Sequence, residues 1–312
     1  MENLLLSFNV VAPLILYMSI GVLLRRARIV EEHCFTQMSQ LVFYVAIPAL
    51  CCENMRALDF TVVLGDPFAL YLGAMVIVLF LISMLIIPRF CHDHTRCGVL
   101  VQGIFRSNDG VFGMAVGATL LGQENMGLLV LCIAITIPVY NILAVTEMEY
   151  FRGGKPNVGK ILLQLLKNPI IIGCVLGAGL SFSPFDLPVF LAKPLAGLAE
   201  ICAPLGFIAL GGTLSLNSLK ENKVALTWVS LVKLITIPAV VLCIFYLMGY
   251  RGNEILVAML IFAAPSAMSV YPMACSMGGD SKLAGGIVAV TSMLSLITVF
   301  SFIFFLKQLG VA

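Results

Sequence analysis

Polar and charged side chains inside two otherwise apolar stretches are the groups of this sequence best suited to chemistry. The stretch Phe105–Gly113 holds an Arg, a Ser, an Asn, an Asp and two Gly, and the stretch Phe262–Met268 holds a Pro between small residues. An ionised side chain in the middle of a membrane-length apolar segment costs about 3 kcal/mol. Irregular backbone is tolerated there only where it lines a cavity or is buried in protein. Matched interruptions in two halves of one chain therefore indicate a shared binding site.

The first stretch is suited to binding an anion. If a half-helix begins near Gly110, its free amide groups and the positive end of its dipole point at the site. Asn108 can then donate its side-chain amide to a carboxylate, and Arg106 can hold a carboxylate with two hydrogen bonds. Ser107 belongs to the same predicted site. In the alternative interpretation, Arg106 and Asp109 form a purely structural ion pair.

The second stretch is predicted to complete the site. Pro265 lacks an amide hydrogen and clashes with the preceding turn, so the helix should break there. Ser266 and Ala267 are then predicted to begin a second half-helix whose amides face those of Gly110 and Val111. The alternative is a simple proline kink packed against a neighbouring helix.

Further ionisable groups lie inside or beside apolar segments. Asp109, Glu200 and Lys233 are candidates for binding a coupling ion, H⁺ or Na⁺, as ionisable residues do inside membranes. Lys233 has the alternative of extending to the membrane surface, and Glu200 that of lying in water. Glu147 and Glu149 follow a predicted span and are expected at the inner membrane edge, in contact with solvent.

No pattern typical of an enzyme or of a resident cofactor is present. The segment Cys91–Cys97 contains two Cys and two His, but the spacing matches no standard structural zinc pattern, so we interpret it as a polar loop with no metal. Nucleophile, phosphate-loop and metalloprotease motifs are missing from the sequence.

Composition assigns the chain to the membrane proteins. Of its 312 residues, 61% are hydrophobic and 11% are charged, and the mean hydropathy is +1.07, whereas soluble domains carry about 25% charged residues. With about 20 residues for each span, the length predicts roughly ten spans and no soluble domain. No basic block suggests nucleic acid. The predicted spans are 6–24, 37–52, 68–88, 98–121, 126–145, 168–182, 189–214, 224–248, 255–277 and 283–306.

Basic residues orient these spans. Most Lys and Arg residues fall in the loops after the odd-numbered spans, and such loops stay on the cytoplasmic side. We therefore expect a multi-pass protein of the cell (plasma or inner) membrane with both termini extracytoplasmic.

An internal repeat is visible in the spacing of Gly, Pro and Phe. Two units of five spans follow, residues 1–152 and 161–312, joined by a cytoplasmic linker at 153–160. Because five is odd, the second unit enters the membrane from the opposite side, which makes an inverted repeat. Chance spacing of common residues is the alternative. The pairs Pro13/Pro169, Gly21/Gly177 and Pro48/Pro204 are offset by 156, and Phe105/Phe262 and Gly122/Gly279 by 157.

In combination, several motifs resemble the auxin efflux carrier family, which includes plant PIN-type exporters and bacterial carriers described as malate or malonate permeases. The resemblance covers essentially the whole chain. The motifs are Arg106–Gly113, Val11–Pro13 with Gly21–Arg26, Leu41–Tyr44 with Ile47–Leu50, and Leu166–Pro169.

This resemblance implies an all-α fold of ten transmembrane helices, arranged as two inverted five-helix repeats. It also implies that helices four and nine are broken and cross each other in a transport subdomain, which moves against a scaffold subdomain in the manner of an elevator. Asn108 matches the asparagine of helix four that contacts a substrate carboxylate, and Pro265 matches the proline of helix nine. Ser107 stands where the plant pattern has a proline, and Asp109 where an uncharged residue is expected.

The sequence thus predicts a secondary active transporter of a small organic anion, a carboxylate such as malate or malonate, working as a symporter or uniporter. Its partners are that anion and the lipid bilayer, with a homodimer as a further option. Three alternatives stay open: an exporter or uniporter of an auxin-like monocarboxylate, a channel, and a membrane sensor that binds a ligand without transporting it.

Overall fold

The protein is all-helical over the part of the chain that the structure, a computed structural model, describes. That part comprises residues 2–58, 65–122, 125–152, 158–183 and 187–311. Residues 153–157 of the predicted linker therefore lie outside it. The α-helices are α1 Glu2–Arg26, α2 Glu32–Leu41, α3 Ile47–Arg56, α4 Pro67–Phe90, α5 His94–Phe105, α6 Met114–Leu120, α7 Met126–Arg152, α8 Val158–Lys167, α9 Pro169–Ser181, α10 Val189–Glu200, α11 Cys202–Thr213, α12 Leu216–Glu221, α13 Lys223–Leu231, α14 Ile237–Leu247, α15 Asn253–Phe262, α16 Val270–Met277 and α17 Ser281–Gln308.

A helix, or a helix with an interruption, occupies each of the ten apolar segments found in the sequence. Six continuous helices of the described residues are long and apolar enough to cross a membrane, which is the pattern of a polytopic membrane protein. These six are Glu32–Arg56, Pro67–Phe90, Met126–Arg152, Val189–Thr213, Lys223–Leu247 and Ser281–Gln308.

Local sequence explains where several helices begin. Asp66 caps α4 by accepting a hydrogen bond from the Ala69 amide (3.1 Å), and Pro67 occupies the first helical turn. Asn168 caps α9 in the same way, ahead of Pro169. A proline is favoured there because the amide it lacks would have no partner inside the helix.

Two prolines also explain two wide turns inside long helices. A π-helical segment, Val42–Ala46, lies between α2 and α3 just before Pro48, and a second, Val232–Thr236, lies between α13 and α14 just before Pro238. A proline ring clashes with the carbonyl four residues earlier, and the wider turn makes room for it without ending the helix.

Equivalent glycines of the two halves make equivalent contacts. A Cβ added to Gly21 would lie 2.1 Å from the carbonyl oxygen of Ile208, and a Cβ added to Gly177 would lie 2.3 Å from that of Cys52. Gly21 and Gly177 are 156 positions apart in the sequence, and so are Cys52 and Ile208. Glycine therefore lets α1 pack backbone to backbone on α11, and α9 on α3.

The helices form two packed groups. In the first group, α1, α2 and α3 pack against α9, α10 and α11. In the second, α4 to α7 pack against one another and against α13 to α17. The groups meet where α17 contacts α1 and α16 contacts α2. The interrupted helices belong to the second group, so their breaks lie in its interior.

Candidate functional site

The two predicted interruptions are present, and the chain segments within them cross. Helices α5 and α15 both end before the crossing, and the extended backbones between them and their continuations run antiparallel. The amide of Asn108 donates to the carbonyl oxygen of Pro265 (2.9 Å), and the amide of Ala267 donates to that of Arg106 (3.3 Å). These bonds hold the two breaks together at one point.

Ser107 and Ser266 lie opposite each other in this short antiparallel bridge. The Ser266 side chain is fully buried, and its hydroxyl donates to the carbonyl oxygen of Gly103 (2.6 Å), which belongs to the last turn of α5. A buried backbone carbonyl near a helix end needs such a donor. Ser266 therefore stabilises the end of the helix that it crosses.

The second half-helix begins later than the sequence predicted. We expected Ser266 and Ala267 to begin it, with free amides facing the site, but α16 begins at Val270. The Ser266 amide instead donates to the Thr291 hydroxyl (3.2 Å), and the Ala267 amide donates across the crossing to Arg106. That expectation was wrong because the antiparallel bridge uses these residues before a helix can start.

Lys233 is part of the crossing. It lies in the π-helical segment before α14, is fully buried, and its ammonium donates to the Ser107 hydroxyl. The alternative in which Lys233 extends to the membrane surface is therefore wrong. An ammonium with a neutral hydroxyl as its hydrogen-bond partner leaves positive charge at the crossing that an anion can balance.

Two hydrogen-bond donors hold the Asp109 side chain in place. Its carboxylate accepts from the Thr136 hydroxyl of α7 (2.6 Å) and from the Gly110 amide (3.0 Å). The Gly110 amide, which the sequence assigned to a bound anion, is thus already used. A π-helical segment, Asp109–Gly113, begins here and continues into α6.

Arg106 turns away from Asp109. Its guanidinium donates to the Asn141 side-chain oxygen and lies 2.7 Å from the Met273 sulfur. No ion pair joins Arg106 to Asp109 in the described part of the chain, so the structural-pair alternative is wrong for this conformation. Asn141 also donates to the Cys51 sulfur (3.1 Å) and so connects the crossing to the first group of helices.

Asn108 has a free donor at the crossing. Its side chain is 6% exposed, and the side-chain nitrogen has no hydrogen-bond partner. The Asn108 carbonyl accepts from the Phe112 amide (2.9 Å), so the backbone of Asn108 is satisfied. Leaving a buried donor without an acceptor costs about 1 to 3 kcal/mol, which a ligand oxygen at this position would recover.

The coupling candidate Glu200 and the polar loop Cys91–Cys97 lie apart from this network. Glu200 ends α10 with an exposed side chain and takes no part in the hydrogen bonds at the crossing. In the Cys91–Cys97 loop, the Thr95 hydroxyl and amide donate to Asp93, which caps α5, and these bonds hold the pKa of Asp93 below its usual value. Nowhere in the described ranges do three His, Cys, Asp or Glu side chains gather as metal ligands do.

A row of polar residues between α5 and α7 escaped the sequence analysis. Going from the crossing towards the start of α5, Thr136 faces Asp109, Asn141 faces Arg106, and the Gln102 amide donates to the Ala144 carbonyl (3.5 Å). A partial signal was present in the sequence: Gln102, Arg106 and Asp109 are spaced by four and three, the spacing of one helical face, although α5 ends at Phe105 before the last two.

Glu147 ends this row, and its predicted environment was wrong. We expected Glu147 and Glu149 to be solvated at the inner membrane edge, but they are 0% and 7% exposed. Helix α7 extends to Arg152, past the end of the apolar run, and α5 packs over this last part. Glu147 lies against Gly98 of α5, where an added Cβ would be 3.2 Å from a carboxylate oxygen.

Taken together, the crossing offers two cationic side chains, one carboxylate and one free amide donor, all buried. With Arg106 and Lys233 protonated and Asp109 ionised, these three groups carry one net positive charge, and the two hydrogen-bond donors of Asp109 suit its ionised form. An excess of positive charge with an unused donor can bind an anion reversibly. The nucleophile and supporting base that covalent catalysis requires are not brought together among these residues.

Comparison with known proteins agrees with a transport role. The sequence matches the family described as "Membrane transport protein" over residues 6–303. It is 24% identical over 297 residues to an "Uncharacterized transporter" of Methanothermobacter thermautotrophicus, covering 94% of this chain and 96% of the relative. It is 23% identical over 279 residues to a "Putative malonate transporter" of Rhizobium meliloti, covering 87% of each. The chain belongs to the membrane transport protein family, the auxin efflux carrier family that its motifs resemble.

Proposed function

We propose that this protein is a secondary active transporter of a small organic anion, a dicarboxylate such as malonate or malate, in the cell membrane. The unpartnered Asn108 amide at a crossing with excess positive charge is the observation that carries the proposal. The family match and the name of the Rhizobium relative support the substrate class.

We further propose ten spans in two inverted repeats, residues 1–152 and 161–312, with both termini extracytoplasmic. The equivalent contacts of Gly21 with Ile208 and of Gly177 with Cys52 support a twofold relation between the halves. They are what an inverted repeat requires, because each half then offers its partner the same surface.

The transport step in this proposal is a movement of the second helix group, which contains the crossing, against the first. Backbone contacts inside the first group make it rigid, as at Gly177. Between the groups the contacts are made by side chains, such as the hydrogen bond between Thr213 and Tyr271 and the packing of Met268 on Gly206. Side-chain contacts can be exchanged without unfolding a helix, so this boundary is suited to sliding.

In the binding step, the Asn108 amide donates to a substrate carboxylate, and Lys233 and Arg106 supply positive charge. Ser107, Gly110 and the Pro265–Ala267 segment shape the crossing around it. Asp109, Lys233 and Glu200 are the candidates for coupling to H⁺ or Na⁺. Removing a hydrogen bond to a charged group costs about 1.5 to 3 kcal/mol, which is roughly a 10- to 150-fold loss of affinity.

Counterflow in liposomes tests this function. Purified protein is reconstituted, the vesicles are loaded with unlabelled malonate, and entry of external labelled malonate is followed. We expect saturable counterflow with the unchanged protein and its loss in Asn108→Ala. The matched control is Asn253→Ala, because the Asn253 side chain is exposed at the start of α15.

Thermal unfolding of each variant verifies that it is folded. Counterflow in Asn108→Ala equal to that in Asn253→Ala would refute the assignment of the site. Absence of counterflow in the unchanged protein with malonate, malate and an auxin-like monocarboxylate would refute anion transport. Tight binding without flux would favour a membrane sensor.

A further inference from the structure

Glu147 is a buried carboxyl group that the site described above does not use. It lies in α7, its side chain is 0% exposed, and neither carboxylate oxygen has a hydrogen-bond partner. Gly98 leaves the space that the carboxyl group occupies, and Met148 and Phe151 side chains lie beside the same glycine. An ionised carboxylate without partners in such surroundings costs several kcal/mol, so this conformation favours the neutral acid.

The neighbouring Gln102 lacks a donor for its own oxygen. The Gln102 side chain faces the Glu147 carboxyl group, and its nitrogen donates to the Ala144 carbonyl (3.5 Å), while its side-chain oxygen has no partner. A protonated Glu147 is a donor, whereas an ionised one is an acceptor only. A single proton on Glu147 would therefore give a partner to one Glu147 oxygen and to the Gln102 oxygen through one O–H···O hydrogen bond.

The charged and titratable groups around Glu147 lie on helices α5 and α7, at Arg106 directly after α5, and in the turn before α17. Arg106, which directly follows α5, and Cys97 of α5 lie near enough to interact electrostatically with Glu147, and the His94 ring lies 6.0 Å from the Phe151 ring between centroids. On α7 itself, Glu149 is paired with Arg152 (3.3 Å).

From the turn before α17, Asp280 is paired with Arg96 of α5 (3.7 Å). The nearby ions are thus already paired, apart from Arg106. Arg106 connects Glu147 with the crossing, because it directly follows α5, the helix of Gln102, and its guanidinium donates to Asn141.

The charge balance connects the two ends of this polar row. With Glu147 neutral, Arg106 and Lys233 exceed Asp109 by one positive charge, which favours an anion at the crossing. With Glu147 ionised, the four groups sum to zero, and the attraction for an anion is lost. Binding of a proton at Glu147 and of an anion at Asn108 should therefore favour each other, as linkage requires.

We propose that Glu147, in place of the coupling candidates Asp109, Lys233 and Glu200, is the proton-binding site of this transporter and that its proton travels with the anion. This inference rests on the proposed function. An O–H bond forms at the Glu147 carboxylate, with a proton taken from water on the side where the anion enters. It breaks, and the proton returns to water, on the side where the anion leaves. One proton therefore crosses the membrane with each anion, and no other reactant is consumed.

Glu147→Gln tests this proposal because it separates exchange from proton-driven uptake. The new amide can donate to Gln102 as the neutral acid does, so the variant should fold and should retain malonate counterflow, which needs no net proton movement. In liposomes with the unchanged protein, the proton concentration outside is set about tenfold above that inside, a difference of about one pH unit. If one proton moves with each anion, labelled malonate should then accumulate inside up to about tenfold. Glu147→Gln should show no accumulation above that of protein-free liposomes.

Glu149→Gln is the matched control, since Glu149 is a second buried carboxyl group on the same helix but has a basic partner. It should accumulate malonate like the unchanged protein. Glu147→Met, of similar volume, guards against a folding defect specific to the amide and should lose accumulation as well. Gradient-driven accumulation that persists in folded Glu147→Gln or Glu147→Met overturns the proposal.

Infrared spectroscopy provides a readout that does not depend on transport. The unchanged protein and Glu149→Gln should show the carbonyl-stretch band of a buried neutral carboxyl group, and Glu147→Gln should lack it. Absence of that band from the unchanged protein overturns the assignment of the proton. If the band is present but no anion shows counterflow, the proposed transport function fails while the protonation of Glu147 stands.

Discussion

Replacing Gly177 by alanine should separate two helices that now touch through their backbones. The added Cβ would lie 2.3 Å from the Cys52 carbonyl oxygen and 2.8 Å from the Cys52 Cα, whereas ordinary contacts begin at 3.4 Å. Neither atom can rotate aside as a side chain does, so α9 must move away from α3. Overpacking of this kind costs about 3 kcal/mol at the upper end of its usual range.

The substitution also has a favourable contribution. Alanine is a better helix former than glycine by about 1 kcal/mol. The net loss is therefore about 2 kcal/mol in the free energy of unfolding, which corresponds to a fall in Tm of roughly 4 to 8 °C. Gly179→Ala is the matched control, because Gly179 lies on the same helix and an added Cβ there meets no atom within 4 Å. That variant should gain about 1 kcal/mol and melt roughly 2 to 4 °C higher.

Thermal unfolding followed by the reaction of cysteines with a fluorogenic thiol dye is the assay suited to this contact. Cys51, Cys52 and Cys174 are buried at the α3–α9 boundary and become reactive when it opens, whereas Cys34 and Cys243 are exposed and react before melting. Intrinsic fluorescence is less suited, since Trp228, the single tryptophan, is 66% exposed. The reasoning fails if Gly177→Ala melts as high as Gly179→Ala.

The equivalent contact of the other half gives an independent test of the same idea. Gly21→Ala would place a Cβ 2.1 Å from the Ile208 carbonyl oxygen, and Gly197→Ala would place one where no atom lies within 4 Å. Gly21→Ala should lower the Tm as Gly177→Ala does, and Gly197→Ala should not. A large loss in one half alone would contradict a twofold relation between the halves.

Three further predictions concern single interactions. Thr136→Val removes the hydroxyl that donates to Asp109 and should cost about 1.5 to 3 kcal/mol in the free energy of unfolding, measured by the same dye; unchanged melting would contradict that bond. Lys233→Met removes a buried cation whose described partner is the Ser107 hydroxyl. It should raise the free energy of unfolding by about 1 to 4 kcal/mol, seen as a higher Tm, and should abolish malonate counterflow. A lower Tm would show that the charge stabilises the fold. Asp93 has a pKa lowered by its bonds to Thr95, so it stabilises the folded state above the unfolded pKa of about 3.9 and loses that contribution as the pH falls through the folded pKa. Asp93→Ala should lower the free energy of unfolding by about 1 kcal/mol at neutral pH, and the resulting Tm difference from the unchanged protein should shrink below about pH 4.

Much of the site was predictable from local chemistry. The interruptions follow from an Arg, an Asn, an Asp and a Gly within the first stretch and from Pro265 in the second, because each of these disfavours an uninterrupted apolar helix. Asn108 was predicted to donate its side-chain amide to a substrate carboxylate, and in the structure that nitrogen has no hydrogen-bond partner. Its role in binding substrate stays a prediction.

The start of the second half-helix was not predictable in the same way. Pro265 ends a helix by local sterics, but the residue at which the next helix begins depends on what the freed amides can bind. Here the Ser266 and Ala267 amides find Thr291 and Arg106, which lie far away in the sequence. A hydrogen bond across the crossing therefore delays the helix to Val270.

The sequence by itself determined the class of protein, the helical segments and the positions of the breaks, because hydropathy, charge and proline act on the nearest few residues. Only the tertiary structure decided which polar groups meet, as in the bonds of Lys233 to Ser107 and of Asp109 to Thr136. It also decided that Glu147 is buried, since a helix rotates and extends to suit the helices packed on it. Hydropathy places a residue along a helix but does not say which neighbour that residue faces.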